Sequence, residues 1–283
     1  MTTFGNRDYV DIDNIEELEH TMPLDHHGTT ALITGASAGL GAEFAHTLAA
    51  RGANLVLVAR RADRLEELAA RIRADHGVGV HTVPLDLAAP NATHTLFTAV
   101  RERGLTIDTL VNNAGFGMHG ALAQADADRI DEQVQLNVAT VVSLTRAFLP
   151  EMLHSGRGAL LNVASTAAFQ PVPHMAVYGA TKAFVLSFTE AVAFEARGSS
   201  LRVTAICPGA TRTEFFEVVG TEKAAVGSFQ TPRDVSATAM RALDARRTPA
   251  AVISGRANRA VATLARLVPR RLVVPVTARV MAR

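Results

Sequence analysis

Ser165, Tyr178 and Lys182 fall within one stretch, NVASTAAFQPVPHMAVYGATK, running from Asn162 to Lys182. Tyr178 and Lys182 are four apart, so on a helix they share one face about a turn apart. Ser165 follows the apolar run GALLNVAS, where a strand would end. A phenol, an ammonium and a hydroxyl meeting at a strand end suit carbonyl chemistry. Tyr178 can give or take a proton at the carbonyl oxygen, and Ser165 can hydrogen-bond the same oxygen. A protonated Lys182 nearby would favour the phenolate and lower the tyrosine pKa toward working pH. The chain has only two tyrosines and two lysines, so the pairing is uncommon. Taken alone it also reads as a buried helix tyrosine beside a solvated lysine.

The elements that must position these groups are visible as apolar runs alternating with helical patterns. Strands are expected at Thr30–Thr34, Asn54–Ala59, Val78–Pro84, Thr109–Asn112, Ala159–Ala164, Arg202–Cys207 and Ala251–Ile253. Helices are expected at Leu40–Arg51, Arg64–Asp75, Ala92–Arg103, Ala127–His154, Val177–Arg197 and Pro232–Ala245. The start of the long fourth helix lies anywhere between Ala123 and Arg129, and its interior is apolar nearly all round. The strands lack strict alternation, as expected when both faces of a sheet are covered. This order predicts an α/β fold: a doubly wound parallel (Rossmann) sheet of about seven strands, with a helical C-terminal extension.

The length of 283 residues suits one large α/β domain or two small ones, and 48% hydrophobic with 19% charged residues is ample for a buried core. The net charge of +1 gives no field that calls for nucleic acid. The lone Cys207 excludes an intramolecular disulfide and a cysteine-cluster zinc site. No apolar run reaches transmembrane length and no leader pattern is present, so a cytoplasmic location is expected. Charge is unevenly placed. Residues 1–27 carry seven acids against Arg7, and no acid follows Asp244, where nine arginines lie. We divide the chain into an acidic arm (1–27), a catalytic and cofactor-binding domain (28–255) and a basic amphipathic extension (256–283). The arm is expected to hold one short helix near Ile15–His20, and His26-His27 reads as a solvated pair rather than a metal set. No metal is expected.

The first strand runs into GASAGLG, with Gly35, Gly39 and Gly41 between a strand and a helix. Such a turn lets backbone N–H groups approach a diphosphate, aided by the helix N-terminus. The second strand ends at Arg60-Arg61 without the acid that would hold a ribose 2′-hydroxyl. Arg60 can meet a 2′-phosphate instead, which argues for NADP(H) over NAD(H). Asp86, at the end of the third strand, reads as an adenine contact or as a cap. Asn112 and Asn113 can tie neighbouring strands together through their amides, and Ala114 and Gly115 leave room for a flat ring.

Together, TGASAGLG (Thr34–Gly41), NNAG (Asn112–Gly115), Asn137, Ser165, YGATK (Tyr178–Lys182) and PGATRT (Pro208–Thr213) resemble the short-chain dehydrogenase/reductase family, over about Thr30–Ile253. NNAGFG, FQPVPHMAVYGATKAF and CPGATRTEF resemble a bacterial group of broad short-chain reductases within it. The resemblance implies a catalytic set of Asn137, Ser165, Tyr178 and Lys182. Tyr178 would be the acid or base, Lys182 would lower its pKa and hold the nicotinamide ribose, Ser165 would orient the carbonyl, and Asn137 would hold a water. It further implies that Gly35, Ser37, Gly39, Leu40 and Gly41 line the diphosphate turn and that Asp86 and Leu87 flank adenine. Asn113, Ala114 and Gly115 would line the cofactor, and Pro208, Gly209 and Thr213 would meet the carboxamide end. A homodimer or homotetramer is expected.

Substrate is expected over the carboxyl ends of the strands. Phe116, Phe169, Pro171, Met175, Phe215 and Phe216 are candidate walls, and 214–230 is the candidate lid, with Gly220 and Gly227 as hinges. Few charges lie there, so an apolar carbonyl or secondary alcohol fits best. The extension reads as two amphipathic segments broken at Pro269 and Pro275. They either pack on the domain or a second subunit, or make peripheral contact with an anionic membrane. The rival to an enzyme is a cofactor-bound sensor or a membrane- or partner-binding scaffold that uses this tail. The complete Asn137, Ser165, Tyr178 and Lys182 set favours the enzyme.

Overall fold

A computed structural model describes residues 23–221 and 229–281. The expected arm helix near Ile15–His20 and the hinge Gly227 lie outside the described residues. Seven strands form one parallel sheet in the order β3-β2-β1-β4-β5-β6-β7. They are β1 (Thr30–Thr34), β2 (Asn54–Ala59), β3 (Val80–Pro84), β4 (Thr109–Asn112), β5 (Ala159–Val163), β6 (Arg202–Cys207) and β7 (Ala251–Ile253). Strand order reverses between β1 and β4, which opens a crevice at their carboxyl ends.

The helices α1 (Gly39–Ala50), α2 (Ala62–His76), α3 (Ala92–Glu102), α4 (Ala127–Val134), α5 (Thr140–Ser155), α6 (Ala176–Glu195) and α8 (Pro232–Asp244) cover both faces. Alternate strand residues feed two cores: Ile33, Leu55 and Leu57 meet Phe44, Leu48 and Leu65 on one side. Leu32, Val56 and Leu110 meet Leu96, Leu144 and Phe148 on the other. Each such fully buried side chain contributes roughly 2 kcal/mol, which is why these strands read as unbroken apolar runs.

Three local features depart from expectation. The long helix is not regular: α4 and α5 are joined through a π-helical turn at Gln135–Ala139. Asp126 caps α4 by accepting from the N–H of Arg129 at 3.1 Å. Pro275 does not break the extension, because the chain turns at Pro269 between α9 (Arg256–Leu267) and α10 (Arg270–Met281), which carries Pro275 inside it. Proline there removes one N–H, a loss that an exposed helix face tolerates because water meets the freed carbonyl. His26 is not solvated: it is 1% exposed, with neither ring nitrogen hydrogen-bonded. Residues just before β1 fold back on the domain, where the N–H of Leu24 donates to Asp244 at 3.1 Å. Burial, reinforced by the nearby Arg51 cation, pushes the His26 imidazole down to about 4.

Candidate active site

The first strand turns through Gly35, whose φ of +63° is open to glycine at little cost. A side chain at Gly41 would put its Cβ 2.2 Å from the Gly35 carbonyl oxygen, so the helix can begin this close to the strand only with glycine there. Ala38 precedes α1 with no side-chain cap, and the first turn holds no acid. The leading N–H groups of α1 therefore face the crevice without a protein acceptor from the cap, an arrangement that fits a phosphate.

Asn112 and Asn113 tie the neighbouring strands. The Asn112 amide donates to Asn162 on β5 at 2.9 Å, and Asn113 donates to the Thr34 carbonyl on β1 at 2.9 Å. The π turn brings Asn137 inward. Its Oδ1 accepts from the N–H of Phe116 at 3.1 Å, and its Nδ2 donates to the Phe116 carbonyl at 2.9 Å and to Thr181 at 3.2 Å. Asn137 thereby fixes the backbone after NNAG against α6, the helix that carries Tyr178 and Lys182.

Ser165, Tyr178 and Lys182 line one cleft of about 330 Å³ together with Gly35, Gly39 and Leu40. The Ser165 hydroxyl accepts from the N–H of Ala167 at 3.1 Å, donates to the Pro208 carbonyl at 3.5 Å and stands beside the Tyr178 phenol in the cleft. Lys182 is buried; its Nζ donates to the Val163 carbonyl at 2.7 Å and lies 5.8 Å from the Tyr178 ring centre. Burial pushes the phenol up to about 12, against a lowering by the nearby Ser165 hydroxyl, and pushes the Lys182 ammonium down to about 8. The expected lowering of the tyrosine by Lys182 is not seen in the protein by itself: burial raises the phenol, and Ser165 rather than Lys182 opposes the rise.

Pro208, Gly209 and Thr213 also line the cleft, as do Asn113, Ala114 and Gly115. Asp86 and Leu87 do not. The Asp86 carboxylate accepts from the N–H of Ala88 at 3.0 Å in a local turn rather than capping a helix, since α3 starts only at Ala92 behind Asn91, while Leu87 is buried in the core. Arg60 is directed to Glu132, 3.6 Å away, and its side chain is 67% exposed. Arg61, one residue on, crosses to the glycine turn and donates to the Ser37 hydroxyl at 3.0 Å. Glu214 pairs with Arg61 at 2.8 Å and also with Arg64, so its carboxyl is held below the usual range. Sequence reading missed Arg64 and Glu214, which stand far apart in the chain.

Of the wall candidates, Phe116, Met175, Phe215 and Phe216 line the cleft. Phe169 turns instead beneath Arg266, whose guanidinium lies 5.1 Å from its ring centre. Pro171 also stays outside the lining, whereas its neighbours Gln170 and Val172 are in it, as side chains alternate along extended backbone. The described part of the lid holds a short helix, α7 (Phe215–Val219), ended by Gly220 with φ +81°, and rejoins the domain at Gln230, whose N–H donates to the Ala210 carbonyl at 2.9 Å. Phe215 packs on Tyr178 at 5.4 Å between ring centres. The extension closes one side: Asn258 of α9 stands so near Gly209 that a Cβ there would lie 2.4 Å from it. Among the described residues one group, His46, Asp75 and His76, brings possible metal-ligand atoms within 4.8 Å of one another, and none of the three lines the cleft.

A family model described as short chain dehydrogenase matches residues 29–224. Sulfoacetaldehyde reductase 2 of Chromohalobacter salexigens is 38% identical over 187 residues, covering 65% of this chain and 73% of that protein. A short-chain dehydrogenase from Sphingobium yanoikuyae, solved in complex with NADPH, is 35% identical with a TM-score of 0.74, over 83% of this chain and 92% of that one. The bulky-bulky ketone specific alcohol dehydrogenase from Comamonas testosteroni is 33% identical with a TM-score of 0.71, over 84% and 92%. With the glycine turn, the asparagine ties and the Ser165–Tyr178–Lys182 cleft in one frame, this chain belongs to the short-chain dehydrogenase family and is an NAD(P)-dependent oxidoreductase.

Proposed function

We propose that the protein transfers a hydride between NADP(H) and an apolar carbonyl or secondary alcohol, with Tyr178 as general acid and base. The observation that carries this reading is the convergence of Tyr178, Ser165 and Lys182 on the cleft that also receives the glycine turn. The hydride comes from the reduced nicotinamide when the cofactor is bound. The rest of the chemistry falls to this chain. Tyr178 and Ser165 hold the carbonyl oxygen between two hydroxyls, and Tyr178 gives its proton as negative charge gathers there. An alkoxide is more basic than a phenolate, so the transfer runs downhill even from a phenol held near 12. Lys182, largely charged at neutral pH, stabilises the phenolate left behind. Asn137 keeps Phe116 and α6 in register and would hold a relay water, as the family resemblance implies.

Gly35, Ser37, Gly39, Leu40 and Gly41 would hold the diphosphate, with Asn113, Ala114 and Gly115 beyond them. Pro208, Gly209 and Thr213 would hold the carboxamide end, and Asp86 and Leu87 would stand toward adenine. The basic group for a 2′-phosphate is Arg61 with Arg64, with Arg60 outside it. Binding would exchange Glu214 for the phosphate as their partner. NADPH in the Sphingobium relative supports this choice of cofactor. Phe116, Met175, Phe215 and Phe216 favour an apolar substrate, in keeping with the bulky ketone named for the Comamonas relative.

Exposed Phe184 and Phe194 on α6 suit a homodimer or homotetramer, and the cytoplasm is the proposed location. Among the described residues no helix is long and apolar enough to cross a membrane. A panel of apolar ketones and alcohols, followed by NADPH absorbance, tests the function. Tyr178→Phe is expected to lower kcat/KM about a thousandfold while NADPH affinity holds. Full turnover by that variant would refute the role given to Tyr178.

A further inference from the structure

The extension lies outside the residues matched by the family model and presents two faces with different fates. Asn258 and Ala262 of α9, and Val273 and Thr277 of α10, are buried. The other face is apolar and uncovered among the described residues. Leu267 is 77% exposed, Leu264 60%, Val276 59% and Leu272 56%. Two more exposed residues, Val261 of α9 and Val218 of α7, also line the cleft, so they stand at its mouth. An apolar rim therefore runs from the cleft onto both helices.

The charge carried by α9 and α10 has one sign, while exposed Glu217 stands beside Val218 at the α7 end of the rim. Arg256, Arg266, Arg270, Arg271 and Arg279 are exposed, and no acid lies anywhere after Asp244. None of Arg256, Arg270, Arg271 and Arg279 has a carboxylate within ion-pair distance among the described residues. Apolar side chains flanked by arginines suit the boundary between headgroups and acyl chains, where the apolar groups sink and the cations meet phosphates. A second copy fits less well, because a twofold contact through this face would bring the same arginines together.

We propose that α9 and α10 dock the protein on an anionic lipid bilayer, with the mouth of the cleft toward the membrane. An apolar carbonyl compound dissolved in the bilayer would then reach Tyr178 without crossing water. The delivery step rests on the substrate class proposed above; the docking does not, because it is read by binding rather than turnover.

The chain has no tryptophan, so Leu267→Trp supplies a single fluorophore on the docking face. With phosphatidylcholine vesicles containing about one-quarter phosphatidylglycerol, its emission should shift to the blue and the full-length protein should co-sediment, both reversed by salt. Pure phosphatidylcholine vesicles should give much weaker binding. Leu264→Asp with Leu267→Asp, and separately Arg270→Glu with Arg271→Glu, should each lower the partition coefficient about tenfold or more. Their melting temperature and turnover of a water-soluble ketone should stay near wild type. The charge-reversal and tryptophan variants keep the test sharp if the aspartate pair does not fold. The proposal is overturned if the wild type ignores anionic vesicles at low salt, or if both paired variants bind as it does. It also fails if light scattering shows a dimer that the aspartate pair splits while vesicles bind neither form, since a second copy then covers the face.

Discussion

The two ends of the sheet bury charge and polarity to opposite purposes. At the amino ends, the buried carboxylates are tied to the fold. Asp244 takes both guanidinium nitrogens of Arg51 at 3.0 and 2.9 Å and caps Leu24, and Asp108 accepts from the N–H of Thr30 at 2.9 Å. At the carboxyl ends, Tyr178, Ser165 and Lys182 keep part of their hydrogen-bonding capacity turned into a cleft. Burial costs the protein at both ends; only at the second is the unspent capacity placed where another molecule can use it.

Substitutions can break or sharpen this contrast. The largest effect is expected at the carboxyl end: Tyr178→Phe should cost about a thousandfold in kcat/KM with little change in melting temperature. Asp244→Ala should do the reverse, lowering stability by about 2–3 kcal/mol in chemical denaturation while kcat/KM stays within about twofold. His26 gives a pH-dependent version. Its pKa is depressed from 6.5 to about 4, so the unfolded chain takes up a proton that the folded one refuses. The stability due to neutral His26 is complete above pH 6.5, drains as pH falls, and is gone below about 4. His26→Leu should remove about 3 kcal/mol of pH-dependent stability between pH 6.5 and 4, and an unchanged pH profile would remove His26 as its cause. The smallest effect concerns cofactor choice. Arg61→Ala should weaken NADPH binding about tenfold and leave NADH alone, whereas Arg60→Ala should change either by less than about twofold, both read by fluorescence titration.

Much of this was legible in the chain. Most of the strands could be read because a sheet covered on both faces demands apolar runs, such as NLVLVA at Asn54–Ala59, while edge strand β3, VHTVP, is only partly covered. Ser165, Tyr178 and Lys182 could be read because their spacing is local to one strand end and one helix. What escaped depended on side-chain direction or on distant partners. Whether Arg60 or Arg61 reaches the glycine turn is decided by how the chain leaves β2, and Glu214 arrives from more than 150 residues away. His26 sits in a polar stretch, and only the fold shows it covered. The phenol's rise to about 12 reflects the desolvation of its site, which no motif encodes.

The π turn at Gln135–Ala139 has a consequence for how this family member tolerates change. It holds a residue that a regular helix would not need, and that surplus is what swings Asn137 toward Phe116. Deleting any single residue there would let the segment relax into ordinary winding, with α4 and α5 in nearly the same register, and would draw Asn137 away from Phe116. The surplus residue therefore works as a shim: shaving it off would ease the helix and pull the floor of the active site out of alignment.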